Sequence, residues 1–342
     1  MRSALDRSLV REDFAAATFA DGGLLLHLPS GDFFQLDAAG AAIWSALMES
    51  RSSDEAVTRV AAGLGGAEEE ARPLIERTVA SVKAIDAKPT SELGRFDDEG
   101  RLLSLREGTE TALTFDRESL VLAAGSGLRD KPDEQVAAAL RVFVPKLFAG
   151  WYPLALHASA VEVAERSLLF SGDSGAGKTT TARLIAAEIA GSRLICEDLI
   201  LLTDDGGQLV IVDGAEAVIQ TWMSEATEAL VARRDASVDA RPLREALRER
   251  REYLPLGKII FLDRARRGGA DWALRALSPS GGLRHLFVNS FIHSSTPESL
   301  RAHLAACRAL AVQTTAVEAL SIPAGLADLR ASLRAQIETI AS

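Results

Sequence analysis

Cysteine is nearly missing from this chain. Cys196 and Cys307 are the two it has, and neither stands in a Cys-x-x-Cys or Cys/His spacing. A disulfide framework and a structural zinc site are therefore excluded, and two reduced thiols in a cytoplasmic protein are the expectation. Long apolar runs are missing too. The stretch from Leu140 to Val163 is broken by Lys146, His157 and Glu162, so no membrane span is expected. Met1 to Asp6 bring charge rather than an apolar segment, so a secretory signal is not expected either. Positive charge is in deficit, with 38 Lys and Arg against 48 Asp and Glu and a formal net charge of −10. A general nucleic-acid binder needs the opposite balance.

One local basic segment survives at 233–251. Arg233, Arg234, Arg241, Arg244, Arg248, Arg250 and Arg251 are interleaved there with Asp235, Asp239, Glu245 and Glu249. Mixed signs at helical spacing read as a solvated helix face, with a phosphate- or peptide-binding patch as the alternative.

A chain of 342 residues, 47% hydrophobic and 25% charged, has room for one large globular domain and a smaller one. Near the start, Leu24, Leu26 and Leu28 alternate, Ser30-Gly31-Asp32 signals a turn, and Phe33 to Leu36 resumes a strand, so a β-hairpin is expected. Asp37 caps a helix carrying Ala41, Ile43, Trp44, Leu47 and Met48; further helices start at Ser53-Asp54 and run from about Glu68 to Ile85. The polar break Lys88 to Glu92 divides a domain at 1–87 from a linker at 88–95 and a second domain at 96–342. In the second domain, strands are expected from Phe96 to Ala124 and a helix from Asp133 to Phe148. A hairpin formed by Leu154–Val163 and Ser167–Phe170 then runs into a glycine-rich loop. A helix at Thr179–Ala190 and one strand at Leu194–Leu202 follow it. Asp204-Asp205-Gly206-Gly207 turns that strand into Leu209–Val212, and Lys258–Leu262 forms a buried strand before a final run of helices.

The glycine-rich loop, Gly172-Asp173-Ser174-Gly175-Ala176-Gly177-Lys178-Thr179, fits G-x-x-x-x-G-K-[ST] at every specified position. Glycines let main-chain N–H groups converge on phosphate oxygens, the lysine reaches the terminal phosphates and the Thr179 hydroxyl can hold Mg²⁺. The following helix adds its positive end, with Thr180 in its first turn. ATP with Mg²⁺ is the expected ligand. Downstream, Glu197 and Asp198 interrupt the apolar run Leu194 to Leu202. Carboxylates in a buried strand need a cation or donors, and neighbouring strand residues face opposite ways, so the two acids are expected to do different jobs.

Three segments taken in order, Leu156-His157-Ala158, the glycine-rich loop and Arg193-Leu194-Ile195-Cys196-Glu197-Asp198, resemble the C-terminal domain of HPr kinase/phosphorylase. That family has Leu-His-Gly, Gly-Asp-Ser-Gly-x-Gly-Lys-Ser and Arg-Leu-Val-Ala-Asp-Asp at similar spacing. The resemblance implies an α/β fold, a P-loop HPr-kinase-like (PEP carboxykinase-like) kinase domain. It also implies that Lys178 contacts phosphate, that Thr179 and Glu197 hold Mg²⁺, that Asp198 takes the proton of the attacking hydroxyl and that His157 sits beside the transferred phosphate. The family's Glu-Ile-Arg-Gly-Leu-Gly segment has no counterpart here, where Ile211-Val212-Asp213-Gly214-Ala215-Glu216 stands instead. The resemblance is thus to HPr-kinase-like proteins broadly rather than to an enzyme acting on HPr itself. Arg264, Arg284 and His285 are further substrate or phosphate candidates, with Trp222 and His293 behind them.

Phe33-Phe34-Gln35-Leu36-Asp37 with Gly40, Ile43 and Trp44 resembles the signature of the PqqD family, small winged-helix-like α+β modules that recognise leader peptides of ribosomally made, modified peptides. The resemblance implies that Phe34, Leu36 and Trp44 take part in peptide recognition; simple packing of this domain on the kinase, or dimerisation through it, is the alternative. The combined expectation is a kinase acting on a Ser or Thr hydroxyl of a captured precursor peptide or small protein. A small-molecule kinase and an ATP-gated peptide chaperone or scaffold are the competing readings, and a homo-oligomer is left open.

Overall fold

The computed structural model describes residues 13–50, 52–86, 96–98, 101–107, 109–148, 150–250, 252–264, 272–292, 296–313, 316–322 and 340. The expected linker at 88–95 and His293 lie outside them. In chain order the elements are β1 (Phe14–Phe19), β2 (Gly22–His27), β3 (Phe33–Asp37), α1 (Ala38–Glu49), α2 (Ser53–Leu64) and α3 (Glu68–Asp86). Next come β4 (Phe96–Asp98), β5 (Leu102–Glu107), β6 (Glu110–Asp116), β7 (Val121–Ala124), α4 (Asp133–Phe148), β8 (Leu154–Val163), β9 (Arg166–Ser171) and α5 (Lys178–Glu188). The chain continues through β10 (Arg193–Cys196), β11 (Leu199–Asp205), β12 (Gln208–Val212), α6 (Ala215–Ala232), β13 (Ser237–Asp239) and α7 (Arg241–Glu249). It closes with β14 (Tyr253–Arg264), β15 (Ala273–Ala276), α8 (Pro279–Val288), α9 (Pro297–Gln313) and β16 (Ala316–Ile322).

The expected hairpin is β2 and β3, joined by antiparallel β1, whose Ala-rich sequence gives little strand signal. Asp37 caps α1 by accepting from the Gly40 amide at 2.7 Å, and Ser52 does the same for α2 from Glu55 at 3.1 Å. Apolar residues of the three helices, among them Ile43, Val57, Val60 and Ile75, form a small core. All six residues of β2 are buried. Leu25 packs on one face with Phe14 and Trp44, while Leu24, Leu26 and Leu28 join the core beneath α8 and α9 from the other face. Residues of the expected domain at 1–87 therefore share their second sheet face with the larger unit.

The larger unit is mixed α/β. Eight strands form one sheet, ordered β10-β8-β11-β12-β14-β16-β15, with β9 paired to both β8 and β14. Here β9, β14 and β16 run parallel and the rest antiparallel. A second sheet, β13-β7-β6-β5-β4, covers the 96–124 region where strands were expected. Among the described residues, the expected final run of helices is α8 and α9, flanked by β15 and β16, which extend the large sheet. One face of that sheet packs on α8, α9 and β2; the other packs on α4 and α6 and, beyond them, on α5.

Candidate active site

The long strand β8 changes partners halfway. Residues 154–157 pair with β11 and residues 160–162 with β10. The expected continuous strand Leu194–Leu202 is accordingly two strands, with Glu197 and Asp198 in the bend between them. The cause is a carboxylate from elsewhere in the chain. Glu216, in the first turn of α6, accepts from the Glu197 amide at 2.8 Å and from the Asp198 amide at 2.9 Å. Both amides are thereby satisfied outside the ladder. Alternation along β8 sends Leu156 and Ala158 into one core and turns His157 and Ser159 to the opposite face.

On that face the sequence-predicted residues meet. His157 Nε2 lies 3.0 Å from Asp198 Oδ1. This hydrogen bond, helped by the charge of Lys178, holds the Asp198 carboxyl below its ordinary range. Ser159 Oγ donates to the Glu197 carbonyl and lies 3.3 Å from Thr179 Oγ1, which donates to the same carbonyl at 3.2 Å. The two acids do part company. The Glu197 carboxylate, assigned to Mg²⁺ by resemblance, is held by a fork from Arg183, with Nε and Nη2 each at 2.6 Å. What Glu197 turns towards Thr179 is its main-chain carbonyl.

The glycine-rich loop leaves β9 at Gly172, whose φ is +138°, and a Cβ there would lie 2.6 Å from the Leu262 carbonyl oxygen of β14. Only glycine allows this close crossing. Gly177 caps α5 in the left-handed region with no side-chain hydrogen bond, so the first-turn amides of Lys178, Thr179 and Thr180 have no protein side chain as acceptor at the cap. Lys178 is 6% exposed, and its Nζ donates to the carbonyls of Gly172 at 2.9 Å and Asp173 at 3.1 Å. Burial lowers its pKa, opposed by the charges of Asp198 and Asp173. Asp173, Ser174 and Gly175 are exposed at the loop's crest, and Ala176 is buried beneath it. The residues fit a bound polyphosphate: a lysine over the loop, a helix with an open N-terminus and a threonine hydroxyl in the first turn.

His285 stacks on Phe261 with centroids 4.7 Å apart. Its pKa is lowered by burial and by Arg284 and Arg275, while Asp263 and the loop's Asp173 act the other way. Arg284, its neighbour in sequence, is exposed. Arg264 ends β14, and its side chain lies outside the described residues. Two candidates are corrected. Trp44 is 3% exposed, its ring 5.8 Å from that of Phe14, so it is a core residue rather than a peptide contact. Trp222 is 6% exposed and donates to the Asp239 carbonyl at 3.2 Å. Phe34 and Leu36 remain half-buried on β3.

Sequence reasoning missed Ser159, Arg183 and Glu216. Ser159 is two positions from His157 on one strand face, and Arg183 is one helical turn from Thr179, so periodicity could have found both. Glu216 had no such signal, being brought in by the fold from 18 residues beyond Asp198.

No curated protein sequence matches this chain. Among solved structures, the Hpr(Ser) kinase/phosphatase from Coxiella burnetii aligns over 54% of this chain and 92% of its own, at 14% identity and a TM-score of 0.26. A likeness that weak says nothing about the reaction. Residues 22–84 match the family model of PqqD, coenzyme PQQ synthesis protein D, and so form a PqqD-like domain.

Proposed function

We propose that the chain is an ATP-dependent kinase that phosphorylates a Ser or Thr hydroxyl of a peptide or small protein held by its PqqD-like domain. The observation that carries this reading is the His157–Asp198 pair at 3.0 Å, close enough to the loop lysine for Asp198 and Lys178 to feel each other's charge. An acceptor hydroxyl presented to Asp198 would give up its proton to that carboxylate as its oxygen bonds to the γ-phosphorus of ATP and the bond from that phosphorus to the bridging oxygen breaks, with ADP leaving. His157 would orient the carboxylate. Lys178, together with the open amides of α5, would hold the negative charge of the transferred group; positioning and charge stabilisation of this kind supply most of the rate in phosphoryl transfer. Mg²⁺, when bound, neutralises phosphate charge. Thr179 Oγ1 and Glu197 would hold it, the Glu197 carboxylate only on leaving Arg183.

The PqqD-like domain supplies the acceptor side of the reading. β3 is the last strand of its sheet, and an extended peptide can add to such an edge beside the half-buried Phe34 and Leu36. Capture of this kind raises the local acceptor concentration, so the active site itself needs little affinity for it.

Asp198→Asn is the deciding variant. Transfer from γ-labelled ATP should fall about 10²–10⁴-fold, with nucleotide affinity by calorimetry little changed. Undiminished transfer would remove Asp198 from the chemistry. An intact peptide-modification phenotype without transfer would favour the ATP-gated scaffold, and transfer to a metabolite without any peptide would favour the small-molecule kinase.

A further inference from the structure

The basic segment 233–251 divides into two kinds of arginine. Arg233, Arg234 and Arg241 each pair with an aspartate: Asp235 at 3.7 Å, Asp133, and Asp239 at 2.6 Å. Arg244 and Arg248 on α7, and Arg250 just after it, form no ion pair among the described residues. Instead these three line a pocket of about 190 Å³ together with Trp151, Tyr152 and Tyr253. In a chain of net charge −10, three guanidiniums gathered without a carboxylate partner are an unusual concentration of positive charge.

Each wall of the pocket has a structural reason to stay as it is. The Arg244 guanidinium lies 5.9 Å over the Trp151 ring, which orients the cation without offering its N–H groups an acceptor. Its Nε is buried and has no hydrogen-bond partner, a costly condition that an oxyanion would relieve. Arg250 rests over Gly214, where a Cβ would come within 2.9 Å of Nη1, so a larger residue there would displace the guanidinium. The Tyr152 phenol is buried within the fields of Tyr253 and Arg248, its pKa raised chiefly by that burial. The pocket is also apart from the glycine-rich loop. Thr203 in its wall is five residues along β11 from Asp198, about 16 Å at strand rise.

We propose that this pocket is a second anion site, built for the dianion of a phosphomonoester. A carboxylate would bring one charge to three cations, whereas a phosphomonoester brings up to two and accepts through three oxygens, matching the guanidinium forks. The volume is below that of ordinary drug-sized sites, so the ligand is a phosphate headgroup with a small organic part, packed on Trp151, and not a whole nucleotide. The site is independent of the kinase reading. It could be filled by a free phosphomonoester or by a phosphorylated side chain of a peptide, which share the chemistry.

The test must silence the other phosphate-binding loop. Full-length chain carrying Lys178→Ala is titrated with phenyl phosphate and, separately, with a short peptide containing one phosphoserine, followed by calorimetry and tryptophan fluorescence. Saturable 1:1 binding of either probe is expected. In the same background Arg248→Gln should weaken it about tenfold, Arg248→Lys less, and Arg244→Gln with Arg248→Gln should abolish it. Tighter binding of the peptide identifies a phosphorylated side chain as the natural ligand; equal or tighter binding of phenyl phosphate identifies a free phosphomonoester. Failure of both probes to bind, or affinity unchanged by the two arginine substitutions, overturns the proposal. Arg248 is exposed, so its single variant decides the matter should the double variant unfold. Loss of transfer in Asp198→Asn would leave this binding untouched, so the two readings fail separately.

Discussion

At the scale of single residues, the contrast between Glu197 and Asp198 is the most informative feature of the site. Adjacent in sequence, they receive opposite partners: a guanidinium fork on Glu197 and an imidazole on Asp198. A fork of two charge-assisted hydrogen bonds satisfies its carboxylate, whereas a single imidazole contact leaves lone pairs free for an incoming hydroxyl. The Asp198 side chain is 73% exposed, so its held-down pKa matters for chemistry more than for stability. The sign follows from the cause. A base whose pKa is depressed stays ionised as pH falls, so the acid limb of kcat/KM should lie below the ordinary carboxylate value of 3.8. His157→Phe keeps a ring beside Phe291 but removes the largest cause of the depression, so it should move that limb to higher pH. A pH–rate profile of both proteins reads the shift, and an unmoved limb would mean that His157 does not tune Asp198.

At the scale of elements, the site depends on interruptions of regular structure, and this is where legibility from sequence ran out. The hairpin β8–β9, the glycine-rich loop and helix α5 were readable because alternation, turn glycines and an apolar strand before the loop all agree locally. The break between β10 and β11 was not, because the acidic pair where it falls also suits a continuous strand whose carboxylates have partners. The break is imposed by Glu216, whose one carboxylate occupies two successive amides. Strands β15 and β16 escaped for a related reason: β16 is held by pairing with β14, and the mostly exposed β15 only by pairing with β16. The role of Glu216 is testable as positioning. Glu216→Ala leaves both amides to water and frees the bend, and a displacement of about 1 Å in the base can cost on the order of 10²-fold in rate. The expected outcome is a fall in kcat with nucleotide KM little changed, and partial recovery in Glu216→Gln, which keeps one acceptor. A variant that lost nucleotide affinity in proportion to kcat would mark Glu216 as a general structural residue instead.

At the scale of the whole molecule, the PqqD-like domain and the larger unit are fused through a shared core, and this changes how peptide capture can be tested. Deleting residues 1–87 is the obvious experiment from sequence, because the polar stretch after Asp86 reads as a boundary. Yet Leu24, Leu26 and Leu28 are 0–1% exposed against residues of α8 and α9 such as Leu283, Leu286 and Phe287. The face is pinned at its rim by Asp21, which accepts from Ser280, and by the Phe33 ring 5.2 Å from that of Phe287. Losing three buried leucines alone forfeits on the order of 5 kcal/mol and strips an apolar patch from helices that also carry His285. The truncated chain should therefore aggregate, or melt well below the intact one by calorimetry, and its inactivity would say nothing about peptides. Substitution on the open strand avoids this difficulty. Phe34→Ser and Leu36→Ser remove half-buried apolar surface from β3 without touching the shared face. If that edge holds the acceptor, transfer to a leader-bearing peptide should fall through a raised KM while kcat at saturation changes little; because both side chains pack on Phe14, Leu25 and Trp44, the melting temperature should fall as well, but less than in the truncated chain. Equal KM for leader-bearing and leaderless peptides in the unsubstituted chain would leave the PqqD-like domain as a structural brace for α8 and α9.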